Sequence, residues 1–223
     1  MTLDDLSEAV DVLQAALTAL QAAVPSQTGR TGADFRYRCG DLLAQAPTLL
    51  QTAALGTPLQ ACFDAAVASG ATLNGLVALR SSVVALTLAG QSAIYVAGGC
   101  YCLTLGSEAK ILAATTFTSS GDALAALAVF GAAMDAAQEW TADNGLPALY
   151  QGLLALGAAV SRDLTSRAAP LPRLTTYAFP RGTTSHVLAY RLYGDANRAD
   201  ELRAENHVIH PAFMPASGRA LTS

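Results

Sequence analysis

Apolar residues return every third or fourth position near the start of the chain, at Leu6, Val10, Leu13, Leu17 and Leu20. This is the period of one helix face, so an amphipathic helix is predicted over residues 3–24. Asp4, Asp5 and Glu8 lie near its N-terminus, where the helix dipole favours negative charge. Pro25 and Gly29 stop it. A second helix is expected over residues 34–46, ending before Pro47, because a proline inside a helix removes a donor. Thr57-Pro58 opens a third, which closes at Ser69-Gly70.

The pattern then loses its polar face. No charged residue occurs between Arg80 and Glu108, a stretch longer than the ~20 residues that span a bilayer. Gln91, several hydroxyl residues and the Gly98-Gly99 pair interrupt it, and no flanking Lys or Arg cluster would orient a span. An alanine-rich helix buried on all sides is therefore expected over residues 72–117, in preference to membrane insertion. Ser120-Gly121-Asp122 is read as the cap of a helix running to Trp140, which Asn144-Gly145 ends. Leu146-Pro147 opens one more, to about Ser166.

Past Ala168 the pattern changes. Ala168 to Pro172 has the proline content of a linker. Residues 174–179 alternate as a strand, and Pro180-Arg181-Gly182 turns the chain. Thr183, Thr184 or Ser185 can cap a helix over 186–193, with Val187, Leu188, Leu192 and Tyr193 available for packing. Gly194 suits the left-handed position that ends it. Asp195 or Asn197 caps another helix, in which Ala199, Leu202 and Val208 face inward and Asn206 bonds back to the backbone. Phe213, Met214 and Leu221 are expected to give a return strand its apolar contacts. The fold class is thus mainly α: an alanine-rich helical body over 1–168, a proline-rich linker over 169–173, and a small α+β βααβ module over 174–223.

Composition sharpens this picture. Hydrophobic residues make up 52% of the chain and charged residues 13%, against roughly 25% charged in a typical soluble domain. A surface so poor in charge is expected to be covered by other subunits. Residues 1–170 hold seven cations against thirteen acids, and residues 171–223 hold six against four. Neither block has the clustered cations that nucleic-acid binding needs, so no direct contact with nucleic acid is expected. The acids at positions 4, 5 and 8 also stand where a secretory signal is positive.

Reactive chemistry is sparse. Cys39, Cys62, Cys100 and Cys102 lack zinc-knuckle and Cys-x-x-Cys spacing and read as buried thiols, with Cys39 and Cys62 able to bridge outside the cytoplasm. Glu139 and Asp143 lie one helical turn apart, a solvated face rather than a catalytic carboxylate pair. His207 and His210 lack a third metal ligand at a familiar spacing. Ser119-Ser120-Gly121-Asp122 has no phosphate-loop Lys and reads as a helix cap. Gly98-Gly99-Cys100-Tyr101-Cys102 has no base partner for a nucleophilic Cys and reads as a kink or close-packing point. No catalytic, cofactor-binding or metal-binding residue is assigned, and no enzyme activity is expected.

Several residues of the C-terminal segment match a known module: the Gly182-Thr183 turn, Tyr193-Gly194, Leu202 with Asn206, Pro211, and Gly218 with Leu221. On these the segment resembles a LysM-type module, two helices on a two-stranded antiparallel sheet. The turn lacks the aspartate of that family's Gly-Asp-Thr, and the chain is expected to reach Ser223 before completing a second strand. Both weigh against saccharide binding. The longer string from Tyr190 to Pro215, which includes Tyr193-Gly194-Asp195-Ala196-Asn197-Arg198 and Pro211-Ala212-Phe213-Met214-Pro215, resembles the C-terminal end of the Mu-like prophage DNA circulation proteins. These are tail and baseplate proteins of contractile-tailed phages. The resemblance implies a shortened or split member without the N-terminal domain of typical ones.

What the resemblance implies is a structural virion protein, assembled in the host cytoplasm and located in the tail or baseplate. Its partners would be the baseplate hub, tail tube, sheath or wedge, with several copies in the assembly, no cofactor and no membrane. Tyr177, Phe179, His186, Tyr190, Arg191, Tyr193, Arg198 and Phe213 are the residues expected at the docking interface, since Tyr and Arg are favoured anchors; several of them fit the module's own core equally well. The rival readings are a peptidoglycan-binding LysM protein and a holin-like protein inserted through residues 81–107.

Overall fold

A computed structural model describes residues 2–222. The chain is mainly helical, 71% of it, with one two-stranded sheet. In order, the elements are α1 (Leu3–Ala22), α2 (Gly29–Gln51), α3 (Gly56–Ala68), α4 (Leu73–Val84), α5 (Gln91–Ala114), α6 (Ser120–Asp143) and α7 (Pro147–Ala168). These are followed by β1 (Leu174–Ala178), α8 (Ser185–Tyr193), a 3-10 turn (Ala196–Arg198), α9 (Ala199–Glu205) and β2 (Ser217–Leu221). Two compact units result: Met1–Thr115 with Ala128–Asp163, and Thr116–Leu127 with Leu164–Ser223.

In the first unit α5 is the central helix and packs against α1, α3 and α4. The stripe predicted for α1 is buried at Leu13, Leu17 and Leu20. The acids of α1 do more than complement their own dipole. The Asp5 carboxylate accepts from the Ser92 N–H at 2.9 Å and the Ser92 hydroxyl at 2.6 Å. Glu8 accepts from the N–H groups of Ala89 and Gly90 at 2.8 and 2.7 Å. Two carboxylates of α1 therefore cap the N-terminus of α5, whose own cap position is a glycine without a side chain.

The Ser92 hydroxyl holds the Asp5 carboxyl below the usual carboxylate range, against an opposing effect of burial. Stability from a carboxylate depressed in this way is present above its ordinary pKa and lost as pH falls through the lower folded value. Asp5→Asn is expected to lower the thermal midpoint by about 2–4 °C at neutral pH. The gap to wild type should close in acid; thermal melts across pH that show a constant gap would refute this account.

Two expectations for this unit need correction. Residues 72–117 form two helices rather than one, broken at residues 85–90, so the charge-free stretch is not a continuous span. The break is the segment whose amides Glu8 binds, a contact invisible to local periodicity. The second helix runs from Gly29 through Gln51, past Pro47. Pro47 lies on an exposed side of α2, where solvent can replace the missing donor.

Gly75 of α4 meets the end of α1 directly. A Cβ there would stand 2.5 Å from the Ala23 Cα and 2.7 Å from its Cβ. Gly98 admits Leu146 and Leu149 of the α7 region, 2.7 and 2.9 Å from where its Cβ would be. Gly98 is thus a close-packing point, whereas a Cβ at Gly99 would meet only Leu59, at 3.9 Å. Tyr101 meets Trp140 edge-on at 5.9 Å between ring centroids. A buried ion pair lies nearby: Arg80 Nε of α4 stands 3.4 Å from Glu108 Oε1 of α5.

In the second unit β1 and β2 pair antiparallel along their full length, from Leu174 opposite Leu221 to Ala178 opposite Ser217. The expected truncation of the return strand is therefore corrected: β2 is complete before Ser223, which lies outside the described residues. Tyr177, Leu188, Ala189, Ala199, Leu202, Met214 and Ala220 form the core, with Phe179, Leu192, Tyr193 and Val208 against it. Thr184 caps α8, and Gly194 ends it at φ 72°. Gly182 passes the Met214 carbonyl so closely that a Cβ would lie 2.7 Å from its oxygen.

This unit also claims residues beyond 174–223. Ser119, not Ser120, caps α6: its hydroxyl accepts from the Asp122 N–H at 3.1 Å and donates to the Asp122 carboxylate at 2.7 Å. The Ser120 N–H donates to the Pro172 carbonyl at 2.9 Å, so the proline-rich segment is tied down. Arg219 of β2 bonds Asp122 and Glu205, each at 3.0 Å.

Candidate functional site

The C-terminal residues singled out by sequence divide into two groups. Tyr177 is buried, its ring centroid 6.0 Å from that of Phe179. Phe179 is half-buried under the Arg191 guanidinium, which stands 5.9 Å from the ring centroid. Tyr193 is half-buried, and its hydroxyl accepts from the Leu221 N–H at 3.1 Å. Arg198 covers the Tyr193 ring at 3.8 Å and forms a forked pair with Glu201 at 2.6 and 3.1 Å. Tyr177, Phe179, Tyr193 and Arg198 thus build the unit's own interior and its lining. Of these four, all expected at a docking interface, Tyr177 is buried, while Phe179, Tyr193 and Arg198 keep part of their surface exposed.

His186, Tyr190, Arg191 and Phe213 point outward. Tyr190 is 66% exposed and Phe213 75%. Phe213 was expected to pack inside; Met214 takes that place instead. Two further apolar side chains join the outward group: Val187 of α8 and Ile209, the latter 91% exposed. Val187 was expected in the packing, but α8 buries Ser185, Leu188 and Ala189, which leaves positions 187 and 190 on the opposite side.

Local chemistry explains how Ile209 and Phe213 come to be displayed. His207 takes a positive φ of 53°, which turns the chain after α9. Arg203 then donates to the Ile209 carbonyl at 2.6 Å, and the Phe213 N–H donates to the His210 carbonyl at 3.2 Å. The His210 ring lies 5.0 Å from that of Phe213, and its Nδ1 accepts from the Ala212 N–H at 3.2 Å. The Ser185 N–H donates to the Pro211 carbonyl at 2.7 Å, fastening this loop to the start of α8. The loop is therefore pre-ordered, and a partner need not pay to order it.

No protein-family model and no curated protein matches this chain.

All four cysteines are free, and Cys39 and Cys62 are buried in the interior. Burial pushes the Cys100 and Cys102 thiols up to about 12, so they stay protonated at neutral pH. Among the described residues no group of three His, Cys, Asp or Glu side chains is gathered to hold a metal. Glu139 and Asp143 are exposed on α6. An open groove lined by Leu50, Leu55, Leu59, Tyr95 and Val96 carries no carboxylate, imidazole or thiol. Among the described residues α6 alone is long and apolar enough to cross a membrane.

Proposed function

We propose that the chain is a non-enzymatic structural protein of a contractile phage tail or phage-like particle. It would stand at the junction of baseplate hub, tail tube and sheath, its second unit a LysM-like module that docks on a neighbouring tail component. The observation that carries this reading is the split among the C-terminal residues. Those behind the resemblance hold the module together: Gly194 ends α8, Leu202 is fully buried, and Asn206 bonds β2. The apolar residues left over, Val187, Tyr190, Ile209 and Phe213, are presented to the outside on ordered backbone. Exposed aromatic and aliphatic side chains of this kind mark protein interaction surfaces. The charge-poor composition points the same way, since such a surface favours contact with other subunits. In this reading the protein needs no cofactor, and it touches neither nucleic acid nor membrane.

Particles purified from a strain carrying the gene are expected to contain the chain, detectable by mass spectrometry. Tyr190→Glu combined with Phe213→Glu should leave the fold intact and remove the chain from those particles. Tails of normal length and infectivity from a strain lacking the gene would overturn the proposal.

A further inference from the structure

The charges of the second unit are not evenly spent. Asp200, Glu201, Glu205 and Asp122 are all engaged, by Arg203, Arg198 and Arg219. Between Arg173 and Gly194 there is no Asp or Glu. Arg173, Arg181 and Arg191 are exposed and have no acidic partner among the described residues. Arg181 precedes α8, which carries His186, Val187, Tyr190 and Arg191, and the 209–213 loop is bonded to the start of that helix. The result is a basic face with apolar anchors.

The first unit carries the reverse. It holds six cations against twelve acids, whereas the second holds seven against five. Within α6, Asp135, Glu139 and Asp143 recur at every fourth residue, all exposed and without a cationic partner among the described residues. They share one side of the helix. Val129 of the same helix is 69% exposed, and Ala132 and Ala136 are exposed beside it. One chain therefore bears two unsatisfied surfaces, each a mixture of apolar contact area and charge, of opposite sign.

We infer that the basic α8 and 209–213 face of one copy docks on the acidic α6 of a second copy. Because the two faces differ, the contact is heterologous: each docked copy still offers one free face of each kind, and association continues into a ring or an open row. Opposite charge sets the register and speeds encounter, while Tyr190, Phe213 and Val129 supply the desolvated centre. This extends the docking role to the chain itself and stands apart from any place in a phage tail.

Sedimentation velocity on the full chain tests it. At low ionic strength the mass should rise with concentration past the dimer, and salt should return it to monomer. Tyr190→Ala with Phe213→Ala, and separately Asp135→Asn with Glu139→Gln, should each weaken association by roughly 30-fold or more. All four positions are exposed, and unchanged circular dichroism would show that the fold survives. Mixed together, the two variants retain one competent pair of faces and should form a one-to-one dimer and nothing larger. A wild-type chain that stays monomeric at low salt, or association that survives both substitution pairs, would overturn the inference. A monomeric chain that still enters particles would do so while leaving the proposed function standing.

Discussion

Glu108→Ala is expected to destabilise the first unit by about 3–5 kcal/mol, the cost of leaving one partner of a buried ion pair uncompensated. Arg80 and Glu108 join α4 to α5, with the Glu108 side chain 5% exposed and that of Arg80 16%. Burial raises the Glu108 carboxyl above its usual range, although the Arg80 charge pulls it down. The native state therefore binds this proton more tightly than the unfolded chain does. Stability falls as pH rises from the ordinary carboxylate range through the raised folded value, the opposite sign to Asp5. Replacing both residues with apolar ones, as in Arg80→Met with Glu108→Leu, should recover most of the loss. Urea titrations of Glu108→Ala and the double variant, read by circular dichroism and Trp140 fluorescence, check this. Equal losses in Glu108→Ala and the double variant would show that the pair is not coupled.

That ion pair was not legible in the sequence, and the reason is general to this fold. Local signals are legible: the α1 stripe, the Asn144-Gly145 stop, the Thr184 cap and the left-handed Gly194 each depend on neighbours a few residues away. Contacts between distant segments are not. Asp5 and Glu8 looked like complements to their own helix dipole, but their partners lie more than eighty residues onward, at Ala89 to Ser92. Without that contact nothing marks the break that divides residues 72–117. Pro47 misled because a helix tolerates proline on an exposed side, and exposure is a tertiary property. On α8, the spacing of Ser185, Leu188, Ala189 and Leu192 already puts Val187 and Tyr190 on the far side of the helix. Ile209 carries no such local signal; it is exposed in the turn after α9, where His207 takes a positive φ.

Asn206→Ala is expected to cost the second unit about 2–4 kcal/mol, because it strands two backbone groups of β2 as well as losing bonds of its own. The Asn206 carbonyl oxygen accepts from the Arg219 N–H at 2.8 Å, and its amide donates to the Arg219 carbonyl at 2.7 Å. The same amide donates to the Leu202 carbonyl at 2.8 Å, at the end of α9. Arg219 lies opposite Thr176 yet directs both backbone groups to Asn206, so the side chain satisfies the outer edge of β2 as a third strand would. The clamp also explains Gly218: a Cβ there would run into the Asn206 carbonyl oxygen and approach the Tyr177 hydroxyl to 2.7 Å. Asn206→Asp should be at least as damaging as alanine, for it removes both donors and sets a charge against two carbonyls. Hydrogen exchange gives the direct readout. The amides of Arg219 and its neighbours in β2 should exchange faster in both variants, while those of α1 and α5 stay protected. Unchanged protection along β2 would mean that the sheet holds without the clamp.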